Sequence, residues 1–239
     1  MNNSKEEFRI KYSTALFCEI DKYAAEAYCA IHNVDPNLNI GDINTVNAAD
    51  VPDFNTMFGG SPCQDFSVAG EHKGSVWTCK ECGHVYNPLE AHYERRDVCP
   101  LCGASDIEKT RSSLLVEWLR FLREKKPRFA IYENVKNLTG SRFRSTFDLF
   151  IKELEDYGYN VYWQVLNAKD YNVPQNRERV YCVIIRKDLD NGKFTFPTPV
   201  PLTRLLPDML EAEVDEKYYL SEEKVAQMAF TPPPHIARM

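Results

Sequence analysis

The chain has 239 residues, 44% of them hydrophobic, enough for one α/β domain, or a domain carrying an insertion, around a substantial core. Lysine and arginine number 29 against 35 aspartates and glutamates, and the net charge of −6 argues against a protein that holds nucleic acid by bulk positive charge. No run approaches the ~18 apolar residues of a membrane span, and the start "MNNSKEEFRI" lacks the apolar stretch of a secretion signal, so the expectation is a cytoplasmic protein with its cysteines reduced.

In chain order, "STALFCEI" (13–20) reads as a buried strand and "DKYAAEAYCAIHN" as a helix starting at Asp21. "FNTMFGG" is a second strand, ending in glycines. "SSLLVEWLRFLREKK" is a helix with Leu114, Leu115, Trp118, Leu119 and Leu122 on one face. "RFAIYENV" is a strand, "STFDLFIKELEDYGY" a helix stopped at Gly158, and "NVYWQVLNA" and "RVYCVIIR" are strands. Strands alternating with helices predict a mostly parallel sheet with helices on both faces, where ligands bind beyond the carboxyl ends of the strands. From Arg120 to Arg144 the charge is mostly basic and from Leu205 to Lys224 mostly acidic. The basic run fits phosphate contact or an ordinary solvated helix surface equally well.

The stretch from Trp77 to Ala104 breaks the rhythm. "CKEC" (Cys79, Cys82) and "CPLC" (Cys99, Cys102) are separated by sixteen residues, close to the spacing of a zinc ribbon. Four thiolates leave no open coordination position, so the expected zinc is structural, and without it the insertion should be disordered. His84 and His92 are expected at the surface. Residues 187–239, proline-rich and without a strand–helix unit, read as a linker.

Three polar clusters fall at predicted strand ends. "GGSPCQDFSVAG" places Cys63 between Pro62 and Gln64, "YENVKNL" delivers Glu133, and "DYNVPQNRERVY" sets Gln175, Arg177 and Arg179 before the last strand. Singly, each has a plain alternative: a buried cysteine packing as a small hydrophobe, a helix-capping carboxylate, arginines as salt-bridge partners.

Together and in this order, PCQ, ENV and QNRER resemble the DNA (cytosine-5) methyltransferases of bacterial and phage type, over about residues 15–223. The resemblance implies a Rossmann-like, S-adenosylmethionine-dependent α/β fold with Cys63 as nucleophile and Glu133, Arg177 and Arg179 as its catalytic companions. It implies cofactor binding by Glu19 and Ile20 in "CEIDKYA", by Asp42 and Ile43 in "GDI", and by Pro62, which also fixes the cysteine loop. Gln64 and Ser67 are implied on the loop that closes around a flipped nucleotide in double-stranded DNA. "TRSSLL" resembles the motif opening the following helix, and "DMLEAEVDEKYYLSEE" the segment leading to a target-recognition domain.

The family's opening strand and F-x-G-x-G turn have no counterpart in the sequence, nor does the recognition domain. The domain expectation is therefore a catalytic α/β domain in two parts, 1–76 and 105–190, a zinc ribbon over 77–104, and a linker over 191–239. Three arrangements fit: one chain of a split enzyme completed by a complementary polypeptide, a fragment of a longer enzyme, or a non-catalytic zinc-bearing nucleic-acid-binding or partner subunit on the same scaffold. An RNA cytosine-5 methyltransferase would share PCQ and ENV.

Overall fold

The computed structural model describes residues 13–62, 66, 76–110 and 114–229. Its elements are α1 (Lys22–His32), β1 (Thr56–Gly59), β2 (Trp77–Cys79), β3 (Val85–Tyr86), β4 (Ile107–Lys109), α2 (Leu114–Lys125), β5 (Phe129–Val135), α3 (Arg144–Asp156), β6 (Tyr159–Asn167), β7 (Glu178–Arg186) and α4 (Glu222–Ala229). They form a four-stranded sheet in the order β1-β5-β7-β6 and a three-stranded sheet in the order β3-β2-β4.

Only the β1–β5 pair of the larger sheet is parallel; β7 runs antiparallel to both β5 and β6. The expectation of a mostly parallel sheet is thus corrected, and the reason is length. Between β6 and β7 the chain has only a short 3-10 turn (Ala168–Asp170) and a loop, too little for the crossover that parallel neighbours require.

The alternation of β5 sorts its two faces. Ala130, Tyr132 and Asn134 lie opposite Ile184, Cys182 and Val180 of β7, and all six are buried. Above them pack Leu115, Trp118, Leu119 and Leu122 of α2 and Phe147, Phe150 and Leu154 of α3. Trp118, Tyr132 and Phe150 meet as an aromatic trio, with centroids 4.9–6.1 Å apart. Both helices of the main core therefore share one face. On the other face Tyr162 is covered by Phe194, while Phe58 of β1 remains 67% exposed.

Asp21 caps α1 as its position predicts, accepting the Ala24 N–H at 2.8 Å, and Asn33 ends the helix with φ of 51°. The strand expected over 13–20 is replaced by a single parallel bridge between Phe17 and Asn39. Among the described residues nothing continues that ladder, and the apolar side chains are satisfied by packing instead: Leu16, Ile40 and Ile43 join Ala48, Val51 and Phe121 in a second, smaller cluster.

The insertion is tied to the main core rather than resting on a core of its own. Trp77, Tyr86 and Leu89 are buried in the same cluster as α2 and α3. Asn87 Nδ2 donates to Thr146 Oγ1 of α3 at 3.1 Å, and Arg96 forms a buried ion pair with Glu153 of α3, whose carboxylate also accepts the Tyr157 hydroxyl. The small sheet closes through β4, where Ile107 lies opposite Cys79.

Candidate active site and metal centre

β1 and β5 run parallel with Gly59 opposite Tyr132, and β5 continues to Val135, which brings the residues after Gly59 beside Glu133. Two glycines allow this. A Cβ on Gly59 would lie 2.8 Å from Trp118 Nε1, and one on Gly60 would lie 2.3 Å from the Glu133 carbonyl oxygen, so the chain leaving β1 is pressed against β5 where no side chain fits. The Glu133 carboxylate itself is 3.5 Å from that same Gly60 position. Cys63 follows three residues later; Cys63, Gln64 and Ser67 lie outside the described residues.

The flanks of the cysteine are held from β5 and the turn after it. On the near side, Ser61 Oγ is 2.7 Å from the Tyr132 hydroxyl, and Asn134 Nδ2 donates to the Ser61 carbonyl at 3.1 Å. On the far side, buried Phe66 packs edge-on to Phe143 at 5.1 Å, and its carbonyl accepts Asn137 Nδ2 at 2.7 Å.

Glu133 and Arg179 meet: Arg179 Nε is 3.1 Å from Glu133 Oε1, with the two side chains 20% and 38% exposed. Antiparallel pairing explains it, since Arg179 lies opposite Val135 and so sits diagonally from Glu133 on the same face. Arg177 does not join this pair. Its N–H donates to Asn167 Oδ1 at 3.1 Å, and it lines, with Arg179, Tyr181, Leu166, Tyr171 and Val173, a cavity of about 310 Å³.

Four of the five expected cofactor residues, Glu19, Ile20, Asp42 and Ile43, lie on two neighbouring turns joined by Asn39, while Pro62 follows Ser61 after β1. Asn39 Oδ1 accepts the N–H of Glu19 at 3.0 Å and of Gly41 at 3.0 Å, and its Nδ2 donates to the Glu19 carbonyl at 2.9 Å. Asp42 turns its Oδ1 back to Asn44, Ile43 packs in the smaller apolar cluster, and Ile20 is exposed. The Ile43 carbonyl is also anchored, 3.0 Å from Arg120 Nη2 of α2.

The sulfurs of Cys79, Cys82, Cys99 and Cys102 lie within 4.8 Å of one another, with Cys79–Cys102 at 3.6 Å and Cys82–Cys99 at 3.7 Å. A tetrahedral zinc with Zn–S bonds of about 2.3 Å requires sulfurs about 3.8 Å apart, so the donor set fits the ion. The two halves repeat one turn. Gly83 N–H donates to the Cys79 carbonyl and Gly103 N–H to the Cys99 carbonyl, each at 2.9 Å, and both glycines have positive φ, 73° and 80°. Burial disfavours the Cys99 thiolate, but the N–H groups of Cys102 and Leu101 outweigh it and bring the thiol down to about 6. His92 is exposed as expected, whereas His84 is half-buried: its ring stacks on Tyr86 and its carbonyl accepts the Cys79 N–H at 2.9 Å.

Sequence reasoning missed the residues that hold the site rather than form it: Asn39, Ser61, Tyr132 and Asn137. Asn134 stood in the ENV motif, but nothing in the pattern told which partner a buried tyrosine hydroxyl would find.

The family model for C-5 cytosine-specific DNA methylases matches residues 6–79 and 102–238, and the unmatched stretch between them holds Cys82, Cys99 and most of the insertion. The orphan methyltransferase M.SPBetaI of Bacillus phage SPbeta is 37% identical over 248 residues, covering 92% of this chain and 56% of that protein. Type II methyltransferase M2.ScrFI of Lactococcus lactis subsp. cremoris is 38% identical over 190 residues, covering 80% of this chain and 44% of that protein. Among solved structures, the S. pombe Dnmt2 methyltransferase superposes with a TM-score of 0.56 at 18% identity, covering 90% of this chain and 57% of that one. This likeness establishes the fold. The chain belongs to the C-5 cytosine-specific DNA methylase family, and it spans about half the length of the curated relatives it matches.

Proposed function

We propose that this chain is the catalytic portion of a DNA cytosine-5 methyltransferase acting in the cytoplasm on double-stranded DNA with S-adenosylmethionine. One observation carries the reading: Glu133 and Arg179 meet at the strand end against which the Cys63 loop begins. Carbon 5 of cytosine is too weak a nucleophile to take a methyl group unaided. The Cys63 thiolate adds to carbon 6, forming a C–S bond and moving the electron pair of the 5,6 double bond toward carbon 5. Glu133 hydrogen-bonds ring nitrogen 3 and the exocyclic amine, and Arg179 the carbonyl oxygen at carbon 2, with Arg177 supporting it, so charge is stabilised as the adduct forms.

When bound, S-adenosylmethionine supplies the methyl group. Glu19 would hold its ribose, Asp42 the adenine amino group, and Ile20 and Ile43 the ring, with Pro62 shaping the loop beside it. After transfer, the proton on carbon 5 passes to a base, the C–S bond breaks and the thiolate leaves. Carbon 6 is hidden in a stacked duplex, so the cytosine is flipped out, and Gln64 and Ser67 close on the extruded nucleotide.

Zinc on Cys79, Cys82, Cys99 and Cys102 serves structure, since four thiolates fill its coordination. A complementary polypeptide, separate or part of a longer protein, adds a strand at the free edge of β1 and brings target recognition. The support is that β1 pairs with β5 alone among the described residues and exposes Phe58.

The test is transfer of tritiated methyl groups to duplex DNA by the chain co-expressed with the complementary part of a relative such as M.SPBetaI. Transfer lost on Cys63→Ser supports the proposal. No transfer from a correctly assembled complex would favour a non-catalytic zinc-bearing subunit.

A further inference from the structure

Tyr132 lies fully buried in the middle of β5, yet it carries a hydroxyl where phenylalanine would fill the same space. That hydroxyl is 2.7 Å from Ser61 Oγ and accepts Asn134 Nδ2 at 2.9 Å, and Asn134 also reaches the Ser61 carbonyl at 3.1 Å and Ser61 Oγ at 3.3 Å. The three residues close a small polar ring inside an apolar core, among Trp118, Phe150 and Cys182. Polar groups at such depth are costly unless each is partnered, and here each partners the others. Through Asn134 the ring holds two backbone groups, the Val135 N–H of β5 and the Ser61 carbonyl two residues before Cys63.

We infer that Tyr132 and Ser61 form a positioning clamp that fixes the backbone entering the Cys63 loop. This rests on Cys63 being the nucleophile, and it assigns the clamp no contact with substrate. The reason lies in geometry. Gly59 and Gly60 have no side chains with which to anchor the loop. The hydrogen bonds from Tyr132 and Asn134 to Ser61 therefore supply the directional restraint on this side, as Asn137 does at Phe66 on the other. Burial pushes the Tyr132 hydroxyl up to about 12, so it keeps its proton throughout the working range and the clamp does not loosen with pH.

The experiment uses the full chain without DNA or cofactor and follows iodoacetamide labelling of Cys63 by peptide mass spectrometry. Tyr132→Phe and Ser61→Ala should each speed Cys63 labelling about fivefold, the equivalent of one hydrogen bond, and the double variant should show no further gain. Ser61→Thr, which keeps the hydroxyl, should label at the parental rate, whereas Ser61→Val, of the same shape without it, should match Ser61→Ala. Labelling of Cys29 should be unchanged in all of them. An unchanged or slower rate at Cys63 in Tyr132→Phe, or Ser61→Val behaving like Ser61→Thr, would overturn the clamp. Because no methyl transfer is read, failure here is separate from failure of the methyltransferase proposal, which the tritium assay decides.

Discussion

At the residue scale, the site depends on what can approach the end of β5. Gly60 must be glycine because its neighbour is backbone: the Glu133 carbonyl cannot rotate away as a side-chain tip could. Gly60→Ala should cost about 1–3 kcal/mol, the usual range for an overpacked position, and should lower methyl transfer. Paired urea melts and methyl-transfer rates check this. Glu133→Gln keeps shape but removes the acidic proton that ring nitrogen 3 takes up as the thiolate adds, so kcat should fall about 10²–10³-fold, with DNA affinity little changed. A change confined to affinity would assign Glu133 to binding alone. Glu133 was legible as a polar residue at a strand end, and Gly60 as part of the glycine pair closing β1. The Glu133–Arg179 contact was not, because it depends on antiparallel register that residue spacing does not give.

At the element scale, α1, α2, α3 and the four strands of the main sheet were readable from periodicity and caps, Asp21 and Gly158 among them. The strand expected over 13–20 was not formed, because an apolar pattern specifies a buried segment but not a neighbour to pair with. The ribbon was legible as a cysteine framework, whereas its attachment was not: Trp77, Tyr86 and Leu89 look like the insertion's own apolar residues and turn out to belong to the main core. Metal loss should therefore reach further than the ribbon. Chelation should release one zinc per chain, read with a colorimetric indicator, and should lower the thermal midpoint of the whole domain while changing tryptophan fluorescence. A ribbon that unravels with no change in the domain's midpoint would contradict this coupling. The Arg96–Glu153 pair is the other joint. Glu153→Leu, which strands a buried guanidinium, should destabilise by about 3–5 kcal/mol in urea melts, and Arg96→Met added to it should recover a large part.

At the scale of the whole molecule, apolar surface is left without cover. Phe58 on the edge strand, Ile20 and Tyr23 beside the cofactor turns, and Leu206, Leu210 and Tyr218 in the acidic segment are all well exposed. Edge strands of this kind invite pairing with another segment. Addition of the complementary polypeptide should slow amide exchange at 56–59 by at least an order of magnitude, while the buried centre of β7 shows little change. No protection at β1 in a complex that forms would place the contact elsewhere.

The proposed chemistry turns on Cys63 attacking carbon 6 of cytosine. The direct measurement is covalent capture on duplex DNA carrying 5-fluorocytosine, with S-adenosylmethionine and the assembled protein, followed by peptide mass mapping. Fluorine at carbon 5 cannot leave as a proton does, so the adduct should persist, map to Cys63 and vanish in Cys63→Ser. Capture at another cysteine, or none in an assembly that binds both DNA and S-adenosylmethionine, would contradict it.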